Sequence, residues 1–136
     1  MDLSTIDTTE TANEGAVLEL RGPDDAPLFT KDGAPVTITL LGKDSDVYTR
    51  VVNANANRHL NQRGKPKRSI EGAKAEGVSL LAKCTTAWSG IVVEGETLDC
   101  TYENAVKLYS RFSWIMEQVD EFVADRANFT KASPTG

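Results

Sequence analysis

The side chains of this 136-residue sequence that could act as a nucleophile, a general base or a metal ligand include one histidine, His59, two cysteines, Cys84 and Cys100, and 20 carboxylates scattered over loops and solvated helix faces. A metal site needs several such groups in a fixed arrangement, and a single histidine supplies no pair. Each cysteine lies among apolar neighbours, where a free thiol behaves as a small hydrophobic side chain. The glycines do not have the spacing of a phosphate-binding loop. The sequence therefore predicts a protein that is not an enzyme and that uses no metal and no cofactor.

Aromatic side chains are the groups best suited to a binding surface, and seven of the nine lie within residues 88–129. At helical spacing most of them should face the core, but a domain this small cannot bury all of them equally well. Tryptophan and tyrosine anchor protein interfaces when such a cluster is left partly open. We predict a partner-binding set of Trp88, Tyr109, Phe112, Trp114 and Phe122.

One basic run, residues 63–68, carries four positive charges in six positions: Arg63, Lys65, Lys67 and Arg68. Such runs are usually solvated loops, and this is our first interpretation. The alternative is an electrostatic contact with phosphates, with an acidic segment of the chain or with an acidic partner. The formal net charge of −5 argues against a general nucleic-acid binder, which usually has a surplus of Lys and Arg.

Two hydrophobic periods predict the elements that position these groups. Residues 16–20 and 36–40 alternate as half-buried antiparallel strands do, and Asp32-Gly33 is a hairpin turn signal. A short extended piece at residues 28–30 would complete a small N-terminal β-meander, and residues 88–93 would form a later strand. After Leu41 the period becomes helical, with Ser45 (or Asp44), Ser69 and Thr101 as N-caps. The sequence thus predicts an α+β fold with about four α-helices, the last two packed together.

Composition divides the chain into a flexible acidic arm of residues 1–14, a single α+β domain of residues 15–130 and a flexible polar tail of residues 131–136. A hydrophobic content of 40% with 26% charged residues is that of an ordinary globular chain. No apolar run approaches the roughly 20 residues of a membrane span, and the first residues do not resemble a secretory signal. We therefore expect a cytoplasmic protein without a membrane partner.

Residues 88–129 also resemble a known family. In this stretch a tryptophan and a polar-apolar strand precede a helix that reads T-x-E-N-A-x-x-L-Y from Thr101 to Tyr109. A second helix follows, which reads W-I-x-x-Q-V-x-x-F from Trp114 to Phe122. This arrangement is similar to the C-terminal half of the small tail assembly chaperones of long-tailed, siphovirus-type bacteriophages and prophages. The likeness extends more loosely to residues 2–7, to the hairpin and to residues 40–46.

The resemblance implies a non-catalytic assembly factor in the host cytoplasm that is not part of the finished tail. Members of the family bind the long, helical, apolar tape measure protein, keep it soluble and help to bring tail tube subunits to polymerise around it. Many are also made in a second, longer form by ribosomal frameshifting, which would be a further partner.

Two other classes of function remain open from the sequence. A structural head-tail connector or minor tail protein would stay in the virion, whereas a chaperone would be absent from it. A small nucleic-acid-binding regulator acting through residues 63–68 would bind DNA in a salt-dependent way.

Overall fold

A three-stranded antiparallel sheet forms one layer of the protein in the computed structural model, which describes residues 1–61 and 69–130. Its strands are β1 (Ala16–Glu19), β2 (Thr37–Leu40) and β3 (Thr85–Ser89), in the order β1-β2-β3. Ile38 pairs with Leu18 on one side and with Trp88 on the other. The predicted period of two is confirmed on β2, where Ile38 and Leu40 are fully buried and the alternating Thr37 and Thr39 are half-buried.

The described residues form the helices α1 (Thr9–Glu14), α2 (Asp46–Leu60), α3 (Ile70–Cys84), α4 (Tyr102–Arg111) and α5 (Ser113–Ala124). The three predicted caps are confirmed. The hydroxyl oxygens of Ser45, Ser69 and Thr101 each accept a hydrogen bond from a backbone amide of the first helical turn, at 3.0 to 3.2 Å. Because these amides have no partner within the helix, each cap fixes where its helix begins.

The α+β fold class is confirmed, but two predicted strands differ from the structure. Residues 28–30 form no strand and make only isolated bridges, since the flanking Pro27 and Pro35 lack the amide that a ladder requires. Residues 88–93 do not form one strand either, because the backbone turns at Gly90, whose φ is +83°. Val92–Val93 instead begins a separate hairpin, with β4 (Val92–Val93) paired to β5 (Glu96–Thr97). The third strand of the main sheet therefore comes from the middle of the chain.

The prediction of a loose acidic arm is wrong for residues 9–14. They form α1, and Thr11 and Ala12 are buried. The Thr11 hydroxyl donates a hydrogen bond to the carbonyl of Phe129, which lies in a 3₁₀ turn at Arg126–Phe129. Contacts with residues near the other end of the chain hold this segment in place. A local sequence pattern cannot predict such contacts.

One hydrophobic core joins the sheet to α3, α4 and α5. Its fully buried members include Ile38, Leu40, Leu81, Tyr109 and Val119. No side chain of α2 is buried, and its apolar residues Val52 and Leu60 are 40% and 64% exposed. The basic run at residues 63–68 and the tail at residues 131–136 lie outside the described residues.

Candidate protein-binding groove

An apolar groove of about 300 Å³ opens between a hairpin of residues 20–36, the segment after β3 and the start of α5. Among its lining residues are Leu28, Phe29, Val92, Phe112, Trp114 and Ile115. Two of the large apolar side chains are open to solvent, since Phe29 is 61% exposed and Val92 is 57% exposed. Exposed apolar groups gathered in a depression are typical of sites that bind another protein or a ligand.

The first wall of the groove is the hairpin of residues 20–36. The Leu20 amide donates to the Val36 carbonyl at 2.9 Å, and the Val36 amide donates to the Leu28 carbonyl at 3.0 Å. The Leu28 amide in turn donates to the Leu20 carbonyl at 3.3 Å. These bonds close the base of the hairpin and leave Phe29 beyond them.

The second wall is the junction between α4 and α5, where Phe112 ends one helix and precedes the next. The rings of Phe112 and Trp114 meet edge to face, with centroids 6.0 Å apart and an interplanar angle of 66°. Both side chains are half-buried, so each ring packs on the core with one part and lines the groove with another. Edge-to-face contact fixes the two rings relative to each other.

One end of the groove is charged. A neighbouring depression of about 280 Å³ shares Val93, Leu108 and Phe112 with the apolar groove, and its other lining residues include Glu94, Glu96, Lys107 and Arg111. Arg111 donates to Glu94 at 3.0 Å, and its guanidinium carbon lies 5.2 Å from the centroid of the Phe112 ring. Both members of this ion pair are more than half exposed, so the pair contributes little to stability. It does give the apolar surface a polar border.

The structure brings together two of the five predicted partner-binding residues, Phe112 and Trp114. The assignment of Tyr109 to a partner surface is wrong, because its side chain is 0% exposed and its hydroxyl is 2.7 Å from the Thr85 hydroxyl. Burial raises the pKa of Tyr109 well above its ordinary value. Its helical spacing is that of a core position, in line with the general preference for aromatic residues on an apolar helix face.

The other two predicted residues lie outside the groove lining. The Trp88 indole donates a hydrogen bond to the Leu98 carbonyl at 2.8 Å, which ties β3 to the segment before α4. The Phe122 ring packs edge to face on Phe129, with centroids 5.6 Å apart. Both contacts consolidate the fold.

Phe29 and Val92 were not predicted as partner-binding residues, although they are the most exposed apolar side chains of the groove. Phe29 stands alone between turn residues, and Val92 belongs to a strand of two residues. The only local signal was a large apolar side chain within a segment rich in Pro, Gly and Asp. Phe29, Val92 and Trp114 line one groove only in the folded chain, because they are far apart in sequence.

The two cysteines are not activated as nucleophiles, and the possible metal ligands of the described residues are not clustered. Burial raises the pKa of the Cys84 thiol to about 11, and it also raises the pKa of Cys100. Both cysteines are therefore protonated at neutral pH and are poor nucleophiles. Within residues 1–61 and 69–130, no group of three or more His, Cys, Asp and Glu side chains is arranged to hold a metal ion. The same residues include no helix with the length and apolarity needed to cross a membrane.

Comparison with protein-family models, with curated proteins and with solved structures found no match to this chain.

Proposed function

We propose that this protein is a phage tail assembly chaperone that acts in the host cytoplasm, binds an apolar helical segment of the tape measure protein in its groove and helps to recruit tail tube subunits. It is non-catalytic in this proposal. The observation that supports it best is the groove itself, where Phe29 and Val92 are exposed beside the half-buried rings of Phe112 and Trp114. The resemblance of residues 88–129 to that family supplies the identity of the partner.

Helix-in-groove contact is the mode of recognition that fits the shape and the lining. An amphipathic helix presents apolar side chains at i, i+3, i+4 and i+7, and these would occupy the apolar depression. The charged flank of the same helix would meet the border formed by Glu94, Lys107 and Arg111. A tape measure chain has apolar helix faces that are uncovered until the tube encloses it, so a partner of this kind would keep it soluble.

The test is co-expression with the cognate tape measure protein, which should aggregate alone and become soluble and co-purify with this protein. Val92→Ser should reduce the amount that co-purifies. Val17→Ser on β1 is a matched control, because both valines are 57% exposed and lie on strands, but Val17 is not among the groove residues. The complex should persist in moderate salt, since apolar burial is screened less than surface charge pairing.

A second set of variants separates the groove from the basic run. Neutralising Arg63, Lys65, Lys67 and Arg68 should weaken the complex far less than Val92→Ser or Phe29→Ser. If the charge changes abolish co-purification and the groove changes do not, the groove is not the binding site. If the tape measure protein stays insoluble with the unaltered chain, the chaperone proposal itself is wrong.

A further inference from the structure

A single side chain of α5, Gln118, joins the two walls of the groove. Its carboxamide oxygen accepts a hydrogen bond from the Arg21 amide at 2.8 Å, and its carboxamide nitrogen donates to the Arg21 carbonyl at 2.7 Å. The same nitrogen donates to the Trp114 carbonyl at 3.2 Å. One side chain thereby connects the backbone at the base of the hairpin to the backbone of Trp114.

These bonds act on the hairpin in the way that a neighbouring strand would. A pair of bonds to the amide and the carbonyl of one residue is the pattern of an antiparallel ladder, and it fixes the direction of the backbone as well as its distance. Arg21 follows directly on Leu20, whose amide and carbonyl close the base of the hairpin through Val36 and Leu28. Holding Arg21 therefore holds the whole wall that carries Phe29.

We propose that Gln118 is a positioning residue that sets the distance between the Phe29 wall and Trp114, and thereby determines which apolar side chains the groove accepts. This inference rests on the proposed function, because the occupant is the apolar helix of the tape measure protein. Phe29 is mostly exposed and gains little from packing in the free protein. The carboxamide bonds thus keep the wall in the bound arrangement before the partner arrives, which lowers the ordering cost of binding.

The first experiment needs no partner. Amide hydrogen exchange of Arg21, Leu28 and Val36 should be faster in Gln118→Ala than in the unaltered protein, because the bond to Arg21 is lost and the hairpin base is released. Glu117→Ala, the neighbouring position on α5, is the control and should leave these amides unchanged. Gln118→Glu keeps an acceptor for the Arg21 amide but loses the donor to the Arg21 carbonyl, so its exchange should also be faster. Unchanged exchange in Gln118→Ala would overturn the inference.

The second experiment measures binding. The ligand is a soluble fragment of the tape measure protein, obtained by limited proteolysis of the co-purified complex. Gln118→Ala should weaken its affinity about fivefold, because the partner must then order the released hairpin wall on binding. If Gln118 acts through the Phe29 wall, the substitution should cause little further loss when Phe29 is already serine, since the two residues then form a coupled pair.

The outcomes distinguish this inference from the proposed function. Binding that Gln118→Ala leaves unchanged would overturn the inference alone, as would an equal loss in the parent and in the Phe29→Ser background. Failure of the unaltered protein to bind the fragment would overturn the proposed function, and with it the role of Gln118 in binding.

Discussion

The carboxylate of Asp44 connects three parts of the chain that are far apart in sequence. It accepts hydrogen bonds from the Arg126 guanidinium at 2.7 and 3.0 Å and from the hydroxyl of Thr8. The bond to Arg126, and then the bond to Thr8, lower the pKa of Asp44 below its ordinary value of 3.8. Both bonds favour the charged form of Asp44, so the stability that they contribute depends on pH.

We expect protonation of Asp44 to destabilise the fold. A lowered pKa in the folded state stabilises the fold above the unfolded pKa, and this stabilisation is lost as the pH falls through the folded pKa. Asp44→Asn should therefore have a lower free energy of unfolding than the parent at neutral pH. The difference should shrink as the pH falls below 3.8. Urea unfolding at a series of pH values measures it.

Arg126→Gln is the matched variant for this prediction, because it removes the partner and leaves the carboxylate. The free energy of unfolding of Arg126→Gln should therefore lose most of the pH dependence that Asp44 gives to the parent. A gap between parent and Asp44→Asn that stays constant at every pH would show that ionisation of Asp44 does not stabilise the fold.

Residue types alone did not separate the aromatic groups of the core from those of the groove. Tyr109 and Trp114 both lie on amphipathic helices, yet Tyr109 is fully buried and Trp114 is half-buried at the groove. The difference arises from what packs against each helix, since α4 packs on α3 and the Tyr109 hydroxyl meets Thr85, whereas Trp114 lines the groove beside the hairpin of residues 20–36. Gln118 is the glutamine of the W-I-x-x-Q-V-x-x-F pattern. Its bonds to Arg21 span 97 positions, so no local sequence signal predicts them.

At the scale of elements, the approach of the hairpin to the segment after β3 depends on Gly90. A Cβ placed there would lie 2.7 Å from the Thr30 Cγ2, and the φ of +83° is one that L side chains rarely adopt. Gly90→Ala should therefore reduce the free energy of unfolding in two ways, by backbone strain of roughly 1 kcal/mol and by a further 1 kcal/mol or so from overpacking. Urea unfolding of Gly90→Ala would give the sum of the two.

Gly95→Ala isolates the backbone component, because Gly95 has a φ of +81° and nothing within 4 Å of its added Cβ. Thr30→Ser isolates the steric component, since it removes the methyl group and keeps the hydroxyl that accepts from the Ala34 amide. The double variant Gly90→Ala, Thr30→Ser should be about as destabilised as Gly95→Ala. Equal costs for Gly90→Ala and Gly95→Ala would contradict a close packing of the hairpin on this segment.

The elements themselves were predictable wherever a local signal defined them. Ser45, Ser69 and Thr101 marked helix starts because a cap acts within three residues of itself, and Ile38 and Leu40 marked β2 by their alternation. Helix α1 was missed because its stability comes from Thr11 and Phe129, at opposite ends of the chain. The groove was only half predicted for the same reason, since Phe112 and Trp114 are two positions apart in sequence and Phe29 is far from both.

At the scale of the whole molecule, none of the described residues, 1–61 and 69–130, covers the apolar groove, which lies beside a charged border in a chain of net charge −5. A surplus of negative charge helps to keep a protein with exposed apolar groups from associating with itself, because like charges repel.

Release distinguishes a chaperone from a structural connector and gives the last prediction. Under the proposed function, the tube would replace the groove as cover for the apolar helix faces of the tape measure protein, and the chaperone would then have no remaining binding site. The protein should therefore be abundant in a lysate in which tails assemble and absent from purified particles, as measured by mass spectrometry of both. The tail tube protein in the same particles is the positive control. A fixed, stoichiometric amount in the particles would instead favour the connector or minor tail protein, in which the groove would be buried permanently against a neighbouring subunit.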